Sequence, residues 1–247
     1  VGINKYRNPK YNLNYALADA NSIHDKVKTG ATALFDKVVP FNIRDSKATR
    51  TTIIKAFEEI ESVALEQDML LFYYAGHGVM SEGNSQDFYL VPYDVTQLYG
   101  RSDLLQQKAV SASELRELSK KISAQKQVFI LDACQSAGAL DAVVRGAAEE
   151  RAIAQLARST GTFWITATGS DQFATEFEAL GHGVFTYSIL EGLNGKADNG
   201  DKKLTVKELS AYIENRVPEL SEKYKGTPQF PSGYSFGNDF PLAIINN

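Results

Sequence analysis

Apolar residues along this chain fall into two alternating patterns, short dense runs and longer stretches with a helical period. Ala16, Ala20, Ile23 and Val27 share one face of a helix over 14–28, and a second helix is expected over 47–67. The dense runs predict strands over 1–3, 37–43, 69–75, 127–131 and 162–168, with a shorter extended piece over 87–92. Ser111 with Glu114, and Thr205 with Glu208, have capping-box spacing. They open helices that run to about Ile122 and about Lys223, the latter kinked at Pro218. Two more helices are expected over 149–158 and 183–193, a loop over 135–146, and a last strand over 241–245. Strands alternating with helices predict βαβ units: a single α/β sandwich on a mostly parallel sheet. In such sheets ligands bind beyond the carboxyl ends of the strands.

Composition narrows the function classes. The 247 residues are 43% hydrophobic and 23% charged, ordinary for a globular chain able to bury a sizeable core. A net charge of -4 is not the basic footprint of a nucleic-acid binder. The longest apolar run, Met69 to Ala75, is too short to span a bilayer, so no membrane partner is expected. One cysteine and three histidines exclude an intrachain disulfide and a zinc finger. The lone thiol fits a reducing, cytoplasmic location, although the chain begins at Val1 and carries no visible signal peptide.

That cysteine is placed where chemistry is expected. The third strand leads into Tyr74-Ala75-Gly76-His77-Gly78, and the fourth into Leu131-Asp132-Ala133-Cys134. Neighbouring parallel strands would deliver His77 and Cys134 to one rim, where an imidazole can turn the thiol into a reactive thiolate. Glycines flanking His77 let backbone approach a substrate, and the Gly78 N–H can face a developing oxyanion. A buried structural cysteine and an incidental histidine are the commoner pairing in proteins at large. Here both follow buried strands and enter small-residue turns, which favours the functional reading. His24 reads as a surface residue of the first helix, and His182, in a second Gly-His-Gly, as the entry to a helix.

Together these motifs resemble the caspase/metacaspase superfamily of cysteine peptidases, most of all its bacterial, orthocaspase-type members. The resemblance rests on YAGHG and LDACQSAG, the opening VGINKY and ALADA, and WITATGSDQFATE and GHGVFTYSILEGL, and so covers nearly the whole chain. His77 lies 57 residues upstream of Cys134, near the caspase separation of about 50. It implies a caspase-like α/β/α sandwich with about six strands, one peptidase domain with a large-subunit-like half over 1–145 and a small-subunit-like half over 146–247. It also implies a Cys134 nucleophile, a His77 acid–base, and no cofactor in the reaction. The alternatives are a caspase-like scaffold with little turnover and an α/β-hydrolase. The latter lacks its Gly-x-Cys-x-Gly elbow here.

The resemblance also implies a specificity. Asp132 stands two residues before the nucleophile, where caspases that cut after Asp carry Gln, and Asp19 occupies the acid of the first helix. Two carboxylates at one pocket base would bind Arg, then Lys, and reject Asp or Glu. Ala75 takes a pocket position at which metacaspases often have Ser, and Thr166, Ala167 and Thr168 are expected along the substrate cleft. Asp141 matches one metacaspase calcium ligand, but Ser111 and Ala112 replace the paired acids, so calcium independence is expected. The Asp198-Asn199-Gly200-Asp201 turn lacks the EF-hand ligand pattern. Self-cleavage is expected at Arg145, the most loop-like basic site between the halves. The expected partners are peptides or proteins with Arg or Lys at the cleaved bond.

Overall fold

The computed structural model describes residues 1–81, 87–135, 151, 154, 162–167, 176–177 and 181–245. A six-stranded sheet runs through their centre. Its spine is the parallel trio β1 (Met69–Met80), β4 (Lys126–Gln135) and β5 (Phe163–Thr166). On one side β2 (Phe88–Leu90) pairs antiparallel with β1 and then with β3 (Val110–Ser111). On the other, β9 (Ser232–Ser235) lies antiparallel to β5. The sheet is therefore mixed, with its parallel part in the core.

Helices cover both faces. Ile53 and Phe57 of α2 (Arg50–Val63), Leu105 of α3 (Ser102–Lys108), and Leu115 and Leu118 of α4 (Ala112–Lys121) join Phe72, Tyr74, Phe129 and Trp164 in one core. Phe129 and Trp164 stack there with ring centroids 4.3 Å apart. Opposite them, α1 (Ala16–Ala31), α5 (Val184–Glu191) and α6 (Val206–Lys225) pack on Tyr73, Ala75, Val128, Ile130 and Ile165. The α/β/α sandwich follows from strict alternation in the strands: residues 70, 72 and 74 face one core, 71, 73 and 75 the other.

Local chemistry sets the element ends. The Thr205 capping box at α6 is fully formed, and the helix ends on Gly226 in the left-handed region at φ 73°. Ser111 caps α4 by accepting from the Glu114 N–H. Thr49 caps α2 by accepting from the Thr52 N–H, so the helix starts at Arg50 rather than residue 47 and ends at Val63. Pro218 lies within α6.

Two expectations need correction. Residues 37–43 form no strand. Pro40 lacks an N–H, and the Val1–Ile3 segment beside them is already paired to β1, leaving only a bridge from Gly2 to Arg44. Strand β1 runs five residues past Ala75, and β4 four past Leu131, so His77 and Cys134 lie inside strands rather than beyond them. Helix α3, strand β9, and β8 (Lys203–Thr205), which pairs with β10 (Pro241–Ile244), were not expected. Gln135 ends β4 rather than opening a loop, and the rest of the 135–146 loop and most of the 149–158 helix lie outside the described residues, as do Thr168, Asp141 and Arg145.

Candidate active site

Extension of β1 and β4 makes the key residues neighbours. In the parallel register Ala75 pairs with Asp132, and His77 with Cys134. Register partners in a parallel pair share a sheet face, so Ala75, Asp132 and His77 stand in one column, with the Cys134 backbone beside His77.

His77 is 5% exposed and fixed from several sides. Its backbone N–H donates to the Tyr6 hydroxyl at 2.8 Å, and its carbonyl accepts from Tyr74. The Tyr6 ring lies 5.0 Å from the imidazole, and Tyr11 meets it edge-on at 6.0 Å. Nε2 is 2.8 Å from the Tyr11 carbonyl. A carbonyl only accepts, so Nε2 carries the proton, and Nδ1 is the basic nitrogen of the neutral ring. Burial pushes the Tyr6 and Tyr74 hydroxyls well above the usual phenol range, so both remain proton donors.

The two glycines beside His77 are demanded by packing. A Cβ on Gly76 would stand 2.7 Å from the Tyr74 hydroxyl and 2.8 Å from that of Tyr6. One on Gly78 would enter the Phe88 ring. The sequence motif therefore records close approach of aromatic side chains to β1.

The two acids expected to form a pocket do converge. Asp19, on the first turn of α1, and Asp132 are 3% and 8% exposed. They meet across Gly183, where a Cβ would lie 3.3 Å from Asp19 Oδ2 and 3.5 Å from Asp132 Oδ2. Asp132 Oδ2 accepts from the Thr186 hydroxyl at 2.6 Å. Thr186 has only that proton, so at 2.6 Å it accepts from Tyr73. Burial first, then the charges of Asp132 and Asp19, hold the Tyr73 hydroxyl well above its ordinary value.

Asp19 is held by the short strand β7 (His182–Gly183), which pairs with β6 (Glu176–Phe177) and leads into α5. His182 Nδ1 lies 2.7 Å from Asp19 Oδ1, and the Gly183 N–H donates to Oδ2 at 3.3 Å. His182 thus enters the helix as expected, but its contact with Asp19 was not anticipated. Nor were Tyr6, Tyr11, Tyr73 and Thr186; the recurrence of Gly-His-Gly directly before a helix was the one usable signal. Ala75 is buried beside Asp132 in register, and the Ala167 N–H donates to the Leu131 carbonyl. Thr166 pairs with Leu131, on the sheet face opposite Asp132, with its hydroxyl toward the Ser232 carbonyl at 3.5 Å.

Residues 1–235 match the family model of the caspase domain. The chain belongs to the caspase family of peptidases. Over 237 residues this caspase domain is 26% identical to a protein from a Desulfuromonadales bacterium named as a probable protease, a match covering 86% of the domain and 27% of that protein. The chain thus spans about a quarter of that relative's length. The caspase domain also resembles a crystal structure of a Geobacter sulfurreducens protein, with a TM-score of 0.59 and 17% identity over 96% of this chain and 91% of that one. At that identity the likeness is one of fold. Among the described residues no three His, Cys, Asp or Glu side chains are grouped to hold a metal ion, and no helix is long and apolar enough to cross a membrane.

Proposed function

We propose that this caspase domain is a cysteine endopeptidase that cleaves peptide and protein substrates after Arg, and less readily after Lys, without calcium. The observation that carries the reading is the meeting of two buried carboxylates, Asp19 and Asp132, across Gly183, one step along the sheet from the His77–Cys134 pair. A guanidinium between them gains charge-assisted hydrogen bonds in a site of low polarity, whereas an acidic side chain meets repulsion and loses its hydration.

In this reading His77 Nδ1 takes the Cys134 thiol proton, and the thiolate attacks the carbonyl carbon after the basic residue. The backbone N–H groups of Gly78 and Cys134, which the β1–β4 register engages in the ladder, would turn from it to hold the oxyanion. Collapse breaks the C–N bond as His77 returns the proton to the leaving amine. Water then cleaves the thioester, its proton passing through His77 to the departing thiolate. The Tyr11 carbonyl keeps Nε2–H in place throughout, so the basic nitrogen does not change identity. Ala75, Ala167 and Thr168 would line the cleft, Thr166 would back it from the other face of the sheet, and Arg145 would be the site of self-cleavage.

Matched fluorogenic peptides ending in Arg, Lys or Asp, with wild type and Cys134→Ala and with or without EDTA, test the reading. Turnover after Arg and Lys that disappears in Cys134→Ala and persists in EDTA is expected. Turnover only after Asp would refute the pocket, and silence on all three would favour a scaffold.

A further inference from the structure

Both acids of the pocket are aimed by one five-residue segment. His182 Nδ1 and the Gly183 N–H bond the two oxygens of Asp19, and the Thr186 hydroxyl bonds Asp132. The side chain of His182 is 20% exposed while that of Asp19 is 4% exposed, so the imidazole borders the buried carboxylate on its solvent side. The type of donor there matters. Lys or Arg at 182 would hold Asp19 equally well but would leave a permanent cation in the pocket, cancelling the charge offered to a ligand. A neutral imidazole donates one proton to Oδ1 and leaves the negative charge in place.

On the basis of the basic-residue pocket proposed above, we infer that His182 is a specificity-determining residue. Bonding Asp19 through Nδ1 without the permanent charge of Lys or Arg, it fixes the carboxylate so that the pair Asp19/Asp132 receives a substrate guanidinium. His182 touches no reacting atom. Its effect falls on binding of the basic side chain, and hence on KM rather than kcat.

Two substitutions separate this role from a structural tie between β7 and α1. His182→Lys keeps a bond to Asp19 but adds charge. His182→Asn replaces Nδ1–H with a neutral amide donor. Both are assayed at about pH 8, above the ordinary imidazole range, for turnover of an Arg peptide and for calorimetric binding of Nα-acetyl-arginine amide. Thermal melting is followed in parallel. The expected result is a melting temperature near wild type for His182→Lys, with KM and Kd raised about tenfold or more and kcat within about twofold. His182→Asn stays within about threefold of wild type in both constants. Wild-type Kd in His182→Lys, or an equal loss in both variants, overturns the inference. If wild type binds the arginine amide without cleaving peptides, the peptidase reading falls and the binding comparison still decides the role of His182. If wild type does neither, the pocket and this inference fall together.

Discussion

The imidazole of His77 is tied to the backbone of Tyr11, Nε2 to carbonyl oxygen at 2.8 Å, across 66 residues of sequence. The contact fixes both the tautomer and the orientation of the ring, and it depends on the Tyr6–Tyr11 segment keeping its place against β1. Tyr6 anchors that segment through its hydroxyl, which accepts the His77 N–H.

Tyr6→Phe is accordingly expected to leave a buried N–H without its partner, at about 1–3 kcal/mol of stability. It should also lower kcat by roughly tenfold with KM little changed, because ring placement and not substrate binding is disturbed. Denaturant melts and steady-state kinetics on the same preparation check both. A fall in KM-dependent terms alone would contradict the assignment.

Gly78→Ala is expected to destabilise by about 3 kcal/mol, since its Cβ would enter the buried Phe88 ring. Phe88→Leu alone should cost about 1 kcal/mol. The double variant should recover part of the Gly78→Ala loss, giving a coupling energy that a melt-based mutant cycle reads directly.

Thr186→Val removes one donor to Asp132 and the acceptor for Tyr73 in one step. The expectation is a 10- to 100-fold lower kcat/KM for Arg peptides, roughly the value of one hydrogen bond to a charged group. Tyr73→Phe, which leaves the Thr186–Asp132 bond intact, should lose less. No loss from Thr186→Val would mean that aiming Asp132 is not what matters.

Acid stability should reveal Glu191, which is bonded by Arg216 and Lys196 and by the Tyr212 hydroxyl where α5 meets α6. Burial alone would raise its carboxyl, but the two cations outweigh burial and hold it below the ordinary 4.5. A carboxyl lowered by folding stabilises the fold above the unfolded-state value and loses that contribution as pH falls through its folded value. Glu191→Gln should therefore destabilise the fold at neutral pH, with the gap to wild type narrowing below about pH 4.5. A gap independent of pH would refute the charge-based account.

Much of this arrangement is legible in the chain because it is local. The alternation around Tyr73 and Tyr74, the period of Ala16, Ala20 and Ile23, and the Thr205–Glu208 box each lie within a few residues and each set a real element. Strand β9, by contrast, is Ser232-Gly233-Tyr234-Ser235, with no apolar alternation. It is a strand because β5 offers an edge and Gly233 lets α6 come close. Residues 37–43 show the reverse case, an apolar run with no open edge to join. The pairing of Asp19 with His182 spans 163 residues and leaves no local trace. Asp19 and Asp132 could be named from their motifs, but what aims them could not.

Cys134 is proposed as a nucleophile served by a pocket for basic side chains. A peptidyl-arginine chloromethyl ketone tests it most directly, because its guanidinium must dock before its carbon meets the thiol. Intact-mass and peptide mapping should find a single adduct on Cys134, slowed by roughly 100-fold in Asp132→Asn and suppressed by acetyl-arginine amide. Labelling of Cys134 by an aspartyl reagent in preference to the arginyl one would contradict the account.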